Sequence, residues 1–167
     1  MSGRPFRHTG VLPRFRDAAL GLVLAYREEP NLRFHVFAAA CAGVAGYAVA
    51  LRGWEVAYLG VTIALVLAAE LVNTAVERAV DLAAGNRRHP LAAAAKQVAS
   101  GAVLLTALHA VFAAVVLFAM ERRLGQSIQS VLALLAGRPL FFLPPVITGL
   151  LGLFGGTRRE SQRRDNP

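Results

Sequence analysis

The chain has 167 residues, 56% of them hydrophobic, and a mean hydropathy of +0.50. One domain's length this apolar excludes an ordinary soluble domain. The formal charge of +8, from 18 Lys and Arg against 10 Asp and Glu, flanks apolar runs rather than forming a groove; that argues against nucleic acid and for anionic lipid headgroups.

Residues 14–28 predict an amphipathic helix. At roughly 100° per residue, Phe15, Ala18, Ala19, Leu22 and Tyr26 share one side, and Arg14, Asp17, Gly21 and Glu28 the other. With its arginines the segment suits a membrane surface or a packed position on a bundle. EEPN (28–31) breaks it, because Pro30 disfavours helix at Glu29.

Phe34–Leu51 runs 18 residues without a charge and predicts a first span, helped by its flanks. A secretory signal would also be apolar there, but the charged lead-in is long and further apolar segments follow. Cys41, the single cysteine, falls mid-span and forms no internal disulfide. Ala38, Ala42, Gly46 and Ala50 recur every four residues, a spacing that lets helix backbones approach closely in lipid.

A second span is expected from Trp54, an interfacial anchor, to about Leu82. Val56–Ala69 supplies 14 uncharged residues before Glu70, so this helix crosses only if Glu70 and Asn73 lie within protein. AAGNRRHP (83–90) stops it through Gly85, Asn86 and Pro90. Gln97–Met120 offers 24 uncharged residues and spans outright, with Ala102, Thr106, Ala110 and Ala114 as a second small-residue stripe.

Arg4, Arg7, Arg14, Arg16, Arg27 and Arg33 precede the first span. Arg78, Arg87, Arg88 and Lys96 lie between the second and third, whereas the first loop, RGWE, holds Arg52 against Glu55. The N-terminus and second loop are therefore expected in the cytoplasm. After Glu121 the character changes. Residues 139–154 are apolar but interrupted by prolines, and read either as a short broken fourth span or as an interfacial segment. The polar tail TRRESQRRDNP is expected to be disordered. The fold expected is an all-α polytopic bundle: a cytoplasmic N-terminus with its surface helix (1–33), a three-span core (34–123) and a C-terminal extension (124–167).

The chemistry concentrates in AELVNTAVERAVD (69–81). Glu70, Asn73, Thr74, Glu77 and Asp81 fit within about 100° of arc on a helix, one polar stripe. An ionised carboxylate in hydrocarbon costs on the order of 3 kcal/mol, so such a stripe faces protein. Glu77 lies about 10 Å nearer the cytoplasm than Glu70. Glu77 and Asp81, with Arg87, Arg88 and Lys96 near in sequence, could meet an anionic ligand through Mg²⁺. Glu70, deeper and desolvated, could act as general base toward a group belonging to a lipid. From the residues alone, a polar packing seam and an ion or proton pathway stand level with that reading. No G-x-x-x-x-G-K-[ST] or G-x-G-x-x-G loop occurs. His35, His89 and His109 are isolated and read as structural.

ELVNTAVERAVDL, followed by HPLAAAAKQVASGAVLL, resembles the signature of the prokaryotic diacylglycerol kinase and undecaprenol kinase family of small membrane lipid kinases. FRDAALGLVLAYREEPNLRFHVFAA resembles its interfacial helix and first span, with Gly21, Glu29, Asn31 and His35 in the expected places. The resemblance covers about 14–120. It implies a three-span protomer of the bacterial inner membrane, a homotrimer with shared active sites, Mg²⁺-ATP as phosphoryl donor and a membrane lipid alcohol as acceptor. By motif position Glu29 and Glu77 would hold the metal, Glu70 would be the base, Asn73 would help position the site, and Lys96 would contact phosphate. HP-x-A and S-G-A-V-L look closer to the undecaprenol branch, with diacylglycerol second. The chain departs from the family pattern at Gln97, where an aspartate usually follows the lysine, and in the extension 124–167.

Overall fold

A computed structural model describes residues 10–85, 87–119 and 123–154. Arg4, Arg7, Asn86, Met120 and the tail 157–167, which figure in the expectations above, lie outside the described residues. Within them the chain is helical, with no strand.

Helix α1 (Val11–Glu28) ends where expected: Glu29 is extended (φ −104°, ψ 110°), and Pro30 opens α2 (Pro30–Ala48) at its first position. The corner is tied by Arg33, whose Nη1 donates to the carbonyls of Arg27 at 2.9 Å and Tyr26 at 3.5 Å. Much of α1's apolar surface, Phe15 and Leu22 included, is left uncovered by the bundle, as suits a helix lying on lipid.

At the far end of α2 the chain turns through a Schellman closure. The N–H of Leu51 reaches the carbonyl of Gly46 (2.9 Å) and that of Ala50 reaches Tyr47 (3.0 Å), with Ala50 left-handed at φ 54°. Ala50 therefore lies past the helix and is not part of the small-residue stripe. Gly46 is buried for a packing reason: a Cβ there would stand 3.1 Å from both Leu51 Cδ1 and Leu59 Cδ2.

Helix α3 (Trp54–Ala84) runs 31 residues to a left-handed Gly85 (φ 54°, ψ 42°), close to the expected bounds. Helix α4 (Pro90–Ala114) begins on Pro90, with His89 Nδ1 accepting from the N–H of Leu91 (3.2 Å), and continues as one π-helical stretch, Val115–Ala119. Helices α3 and α4 form the most extensive pair, and α2 packs against α3. Ala38 and Ala42 of α2 and Ala110 and Ala114 of α4 share one apolar groove with α3. Ala102, by contrast, is exposed.

Among the described residues, Trp54–Ala84 and Pro90–Ala119 are long and apolar enough to cross a bilayer. Helix α2, expected as the first span, falls below that measure on its own, because Asn31, Arg33 and His35 in its first turns shorten the apolar stretch before Ala48. The bent pair Ile128–Gly137 and Pro139–Gly152, angled at 113°, meets the same measure when taken together, as one broken span or as a re-entrant loop. It comprises most of α5 (Arg123–Gly137), the 3₁₀ turn Pro139–Phe142 and α6 (Leu143–Phe154). Helix α6 lies antiparallel on α2. Phe141 stacks on Tyr47 (4.5 Å between centroids), Gly149 meets Phe37, and Gly152 reaches Arg33.

Large apolar side chains are mostly outside, whereas α3 buries Thr62, Glu70, Asn73 and Thr74 beside Val66. That inversion is what lipid as solvent requires: apolar faces outward, and polar groups inside only where other groups can meet them.

Candidate active site

The polar stripe of α3 faces a cavity of about 360 Å³ between α2, α3 and α4, lined by Asn31, His35, Glu70, Asn73, Glu77 and Ser100 among others. Burial is graded along it. Glu70 is 3% exposed, Asn73 and Thr74 are buried, Glu77 is half-buried and Asp81 is exposed. The helical register turns one row of residues from the bundle interior to its rim.

Each carboxylate has a defined partner. Glu70 Oε1 sits 3.1 Å from His35 Nε2. Asn73 Nδ2 donates to Glu77 Oε1 at 2.9 Å, and Ser100 Oγ approaches Asn73 Oδ1 at 3.5 Å while donating to the Lys96 carbonyl at 3.0 Å. Arg78 Nη2 donates to Glu28 Oε2 (2.8 Å) and Glu29 Oε1 (3.2 Å), clamping the α1–α2 corner to α3. Lys96 Nζ donates to Asp81 Oδ1 at 2.5 Å. Asp81 thus closes the stripe against Lys96 rather than against the nearby arginines.

The expected site residues fall into three groups. Glu70, Asn73 and Glu77 share the cavity. Glu29 stands at the corner, held by Arg78, and both it and Glu77 are near enough to act electrostatically on Glu70. Lys96 borders a neighbouring cavity of about 570 Å³ with Asp81, Arg87, Arg88 and His89. Gln97 is exposed.

His35, Arg33, Arg78 and Ser100 were not singled out by the stripe. One signal was available in the sequence: Asn31 and His35 are four apart and therefore share a face of α2. The contacts of Arg33 and Arg78 bridge separate helices and carry no local signature.

No cluster of three or more His, Cys, Asp or Glu side chains able to hold a metal ion occurs among the described residues. Glu29 and Glu77 each engage one oxygen in the bonds above and keep a second. Such donors fit a magnesium ion, which takes one or two carboxylates and completes its shell from phosphate and water.

Fold and site together define, among the described residues, an all-helical membrane bundle with a carboxylate ladder that is buried at Glu70 and exposed at Asp81, beside a basic turn. The prokaryotic diacylglycerol kinase family matches residues 16–118, and the chain belongs to that family. It is 42% identical over 101 residues to a diacylglycerol kinase of Synechocystis sp. (strain ATCC 27184 / PCC 6803 / Kazusa), covering 60% of this chain and 58% of that protein. It is 38% identical over 94 residues to an undecaprenol kinase of Bacillus subtilis (strain 168), covering 56% and 76% respectively. The chain thus spans less than two thirds of the Synechocystis relative. No solved structure matches it. The family match ends before α5, so α5 and α6 lie outside it.

Proposed function

We propose that this protein is an ATP-dependent lipid kinase that transfers the γ-phosphate of Mg²⁺-ATP to the hydroxyl of a membrane lipid alcohol. The observation that carries the reading is the burial of Glu70 at the deep end of a polar row whose other end opens at a basic turn. Phosphoryl transfer asks mainly for alignment and charge neutralisation, which carboxylates holding a metal and a nearby lysine supply without a phosphate loop. Magnesium, when bound, would neutralise charge on the β- and γ-phosphates, and Glu29 and Glu77 are the residues to hold it. Asn73 orients Glu77 through its 2.9 Å bond. Lys96 exchanges Asp81 for phosphate. Glu70 accepts the hydroxyl proton as the alcohol oxygen bonds to the γ-phosphorus and the bond to the ADP oxygen breaks.

Undecaprenol is the favoured acceptor, on the HP-x-A and S-G-A-V-L motifs, and diacylglycerol the second. We read the N-terminus as cytoplasmic in a bacterial inner membrane from the arginine distribution. The assembly, from the family resemblance, is a homotrimer with shared sites. The domain plan follows the same reading, residues 34–123 forming the kinase core and 124–167 an extension. An ion pathway is less well supported. Beyond Glu70 the groove continues with Ala38, Ala42, Leu59, Ile63 and Val66, which offer an ion no ligands. The next polar pair, Thr62 and His109, lies about 12 Å along the helix.

Purified protein with Mg²⁺-ATP, offered undecaprenol and diacylglycerol separately, tests the reading. Transfer to one of them is expected, with Glu70→Gln retaining Mg²⁺-ATP binding and losing turnover. Vesicles that conduct ions and phosphorylate neither alcohol would overturn it.

A further inference from the structure

We infer that His35 is a positioning residue for Glu70, fixing which carboxylate oxygen meets the acceptor hydroxyl. The inference rests on the kinase reading above and deepens it. Pro30 starts α2 so that Asn31 and His35, one turn apart, both face the cavity. His35 Nε2 then lies 3.1 Å from Glu70 Oε1, across from the middle of α3. Its ring is braced edge-on by Phe34, with centroids 5.5 Å apart at 72°.

A carboxylate this deep in a bundle has little water to orient it, and its terminal torsion is broad. An N–H on Oε1 removes that freedom and turns Oε2 toward whatever occupies the cavity. Nε2 must donate, because the carboxylate only accepts. His35 is also the residue that borders both the polar cavity and the apolar groove between α2, α3 and α4. It therefore stands where a hydroxyl on a greasy chain would leave hydrocarbon to meet the base. Histidine suits the task better than lysine or arginine. Its ring holds a single N–H in place on two torsions, and it need not carry a full charge into the membrane.

Five proteins test this: wild type, His35→Phe, His35→Gln, Glu70→Gln and the double variant His35→Phe/Glu70→Gln. Phenylalanine keeps the ring and removes the donor, whereas glutamine returns an amide N–H at similar reach. His35→Phe is expected to lower kcat by about 10- to 100-fold, the effect of misplacing a reacting group, with the KM for Mg²⁺-ATP unchanged. His35→Gln should recover most of the loss. In the Glu70→Gln background, His35→Phe should cost nothing further, because its partner is already gone.

Wild-type kcat in His35→Phe overturns the inference. So does a His35→Gln no faster than His35→Phe, which would reduce the residue to packing, or a further loss in the double variant, which would mean that His35 acts apart from Glu70. Binding of Mg²⁺-ATP and thermal unfolding of each variant show whether a loss is only misfolding; a His35→Phe that unfolds or no longer binds nucleotide counts against a positioning role. If wild type phosphorylates neither alcohol, the kinase reading fails and the inference with it. Wild-type turnover with an unimpaired His35→Phe removes the inference alone.

Discussion

Arg33→Met perturbs the corner that carries Glu29. Arg33 is 6% exposed, and its Nη1 donates to Arg27 O at 2.9 Å and Tyr26 O at 3.5 Å. These carbonyls end α1 and lack helical partners; the residue that would serve Tyr26 O is Pro30, which has no N–H. A cation there also complements the negative end of the helix dipole. Methionine keeps the apolar stem and removes the donors. The shorter bond, from a charged group, is worth about 1.5–3 kcal/mol, and the longer contact is at the geometric limit and adds little. Against this, methionine removes a buried Nε that has no partner, an offset on the order of 1 kcal/mol. The net is about 0.5–2 kcal/mol, roughly a 2- to 30-fold easier opening of the corner. Because α1 touches the rest of the bundle sparsely, the effect should stay local. Hydrogen exchange on reconstituted protein should show the amides of residues 25–29 exchanging faster by that factor, with α3 and α4 unchanged. Unchanged exchange at 25–29, or equal acceleration throughout α3 and α4, would refute the reasoning.

Asn73→Ala removes the 2.9 Å bond that orients Glu77 and should raise the KM for Mg²⁺-ATP by about tenfold, checked by initial rates at varied nucleotide; an unchanged KM would contradict it. Gly46→Val should lower stability by about 1–3 kcal/mol through overpacking on Leu51 and Leu59. Gly43→Ala, with open space around it, should be neutral or stabilising by up to about 1 kcal/mol, and equal thermal shifts for the two would contradict the packing. Ala50→Gly relieves a left-handed alanine at φ 54° and should raise the unfolding midpoint, by about 1 kcal/mol of stability. With α2 read as the first of three spans, the antiparallel seating of α6 on α2 predicts that a C-terminal reporter lies on the same side of the membrane as the N-terminus. A reporter fused after residue 119 should report the opposite side, and like signals from both fusions would rule out the return crossing.

Local chemistry made much of this fold legible. Pro30 and Gly85 are visible as helix breaks because a missing N–H or a left-handed residue acts at its own position, whatever packs around it. The polar stripe was equally legible, since a 3.6-residue period decides which side chains share a face before any neighbour is known. Helix α2 shows where such reading stops. The charge-free run from Phe34 to Leu51 reveals neither the Schellman turn that ends the helix at Ala48 nor that Asn31 and His35 of its first turns face the site. Ala50 fell out of the small-residue stripe for the same reason.

By itself the sequence determined an all-α membrane protein, a row of acids graded in depth, and the family to which that row belongs; these depend on composition and on positions along one helix. Only the tertiary structure decided the partners. His35 meets Glu70, Arg78 clamps Glu28 and Glu29, Lys96 turns to Asp81, and α6 lies on α2. Each pairing joins segments from 15 to more than 100 residues apart. A hydrogen bond acts over about 3 Å, and at such separations only the packing of whole helices brings two side chains within that distance.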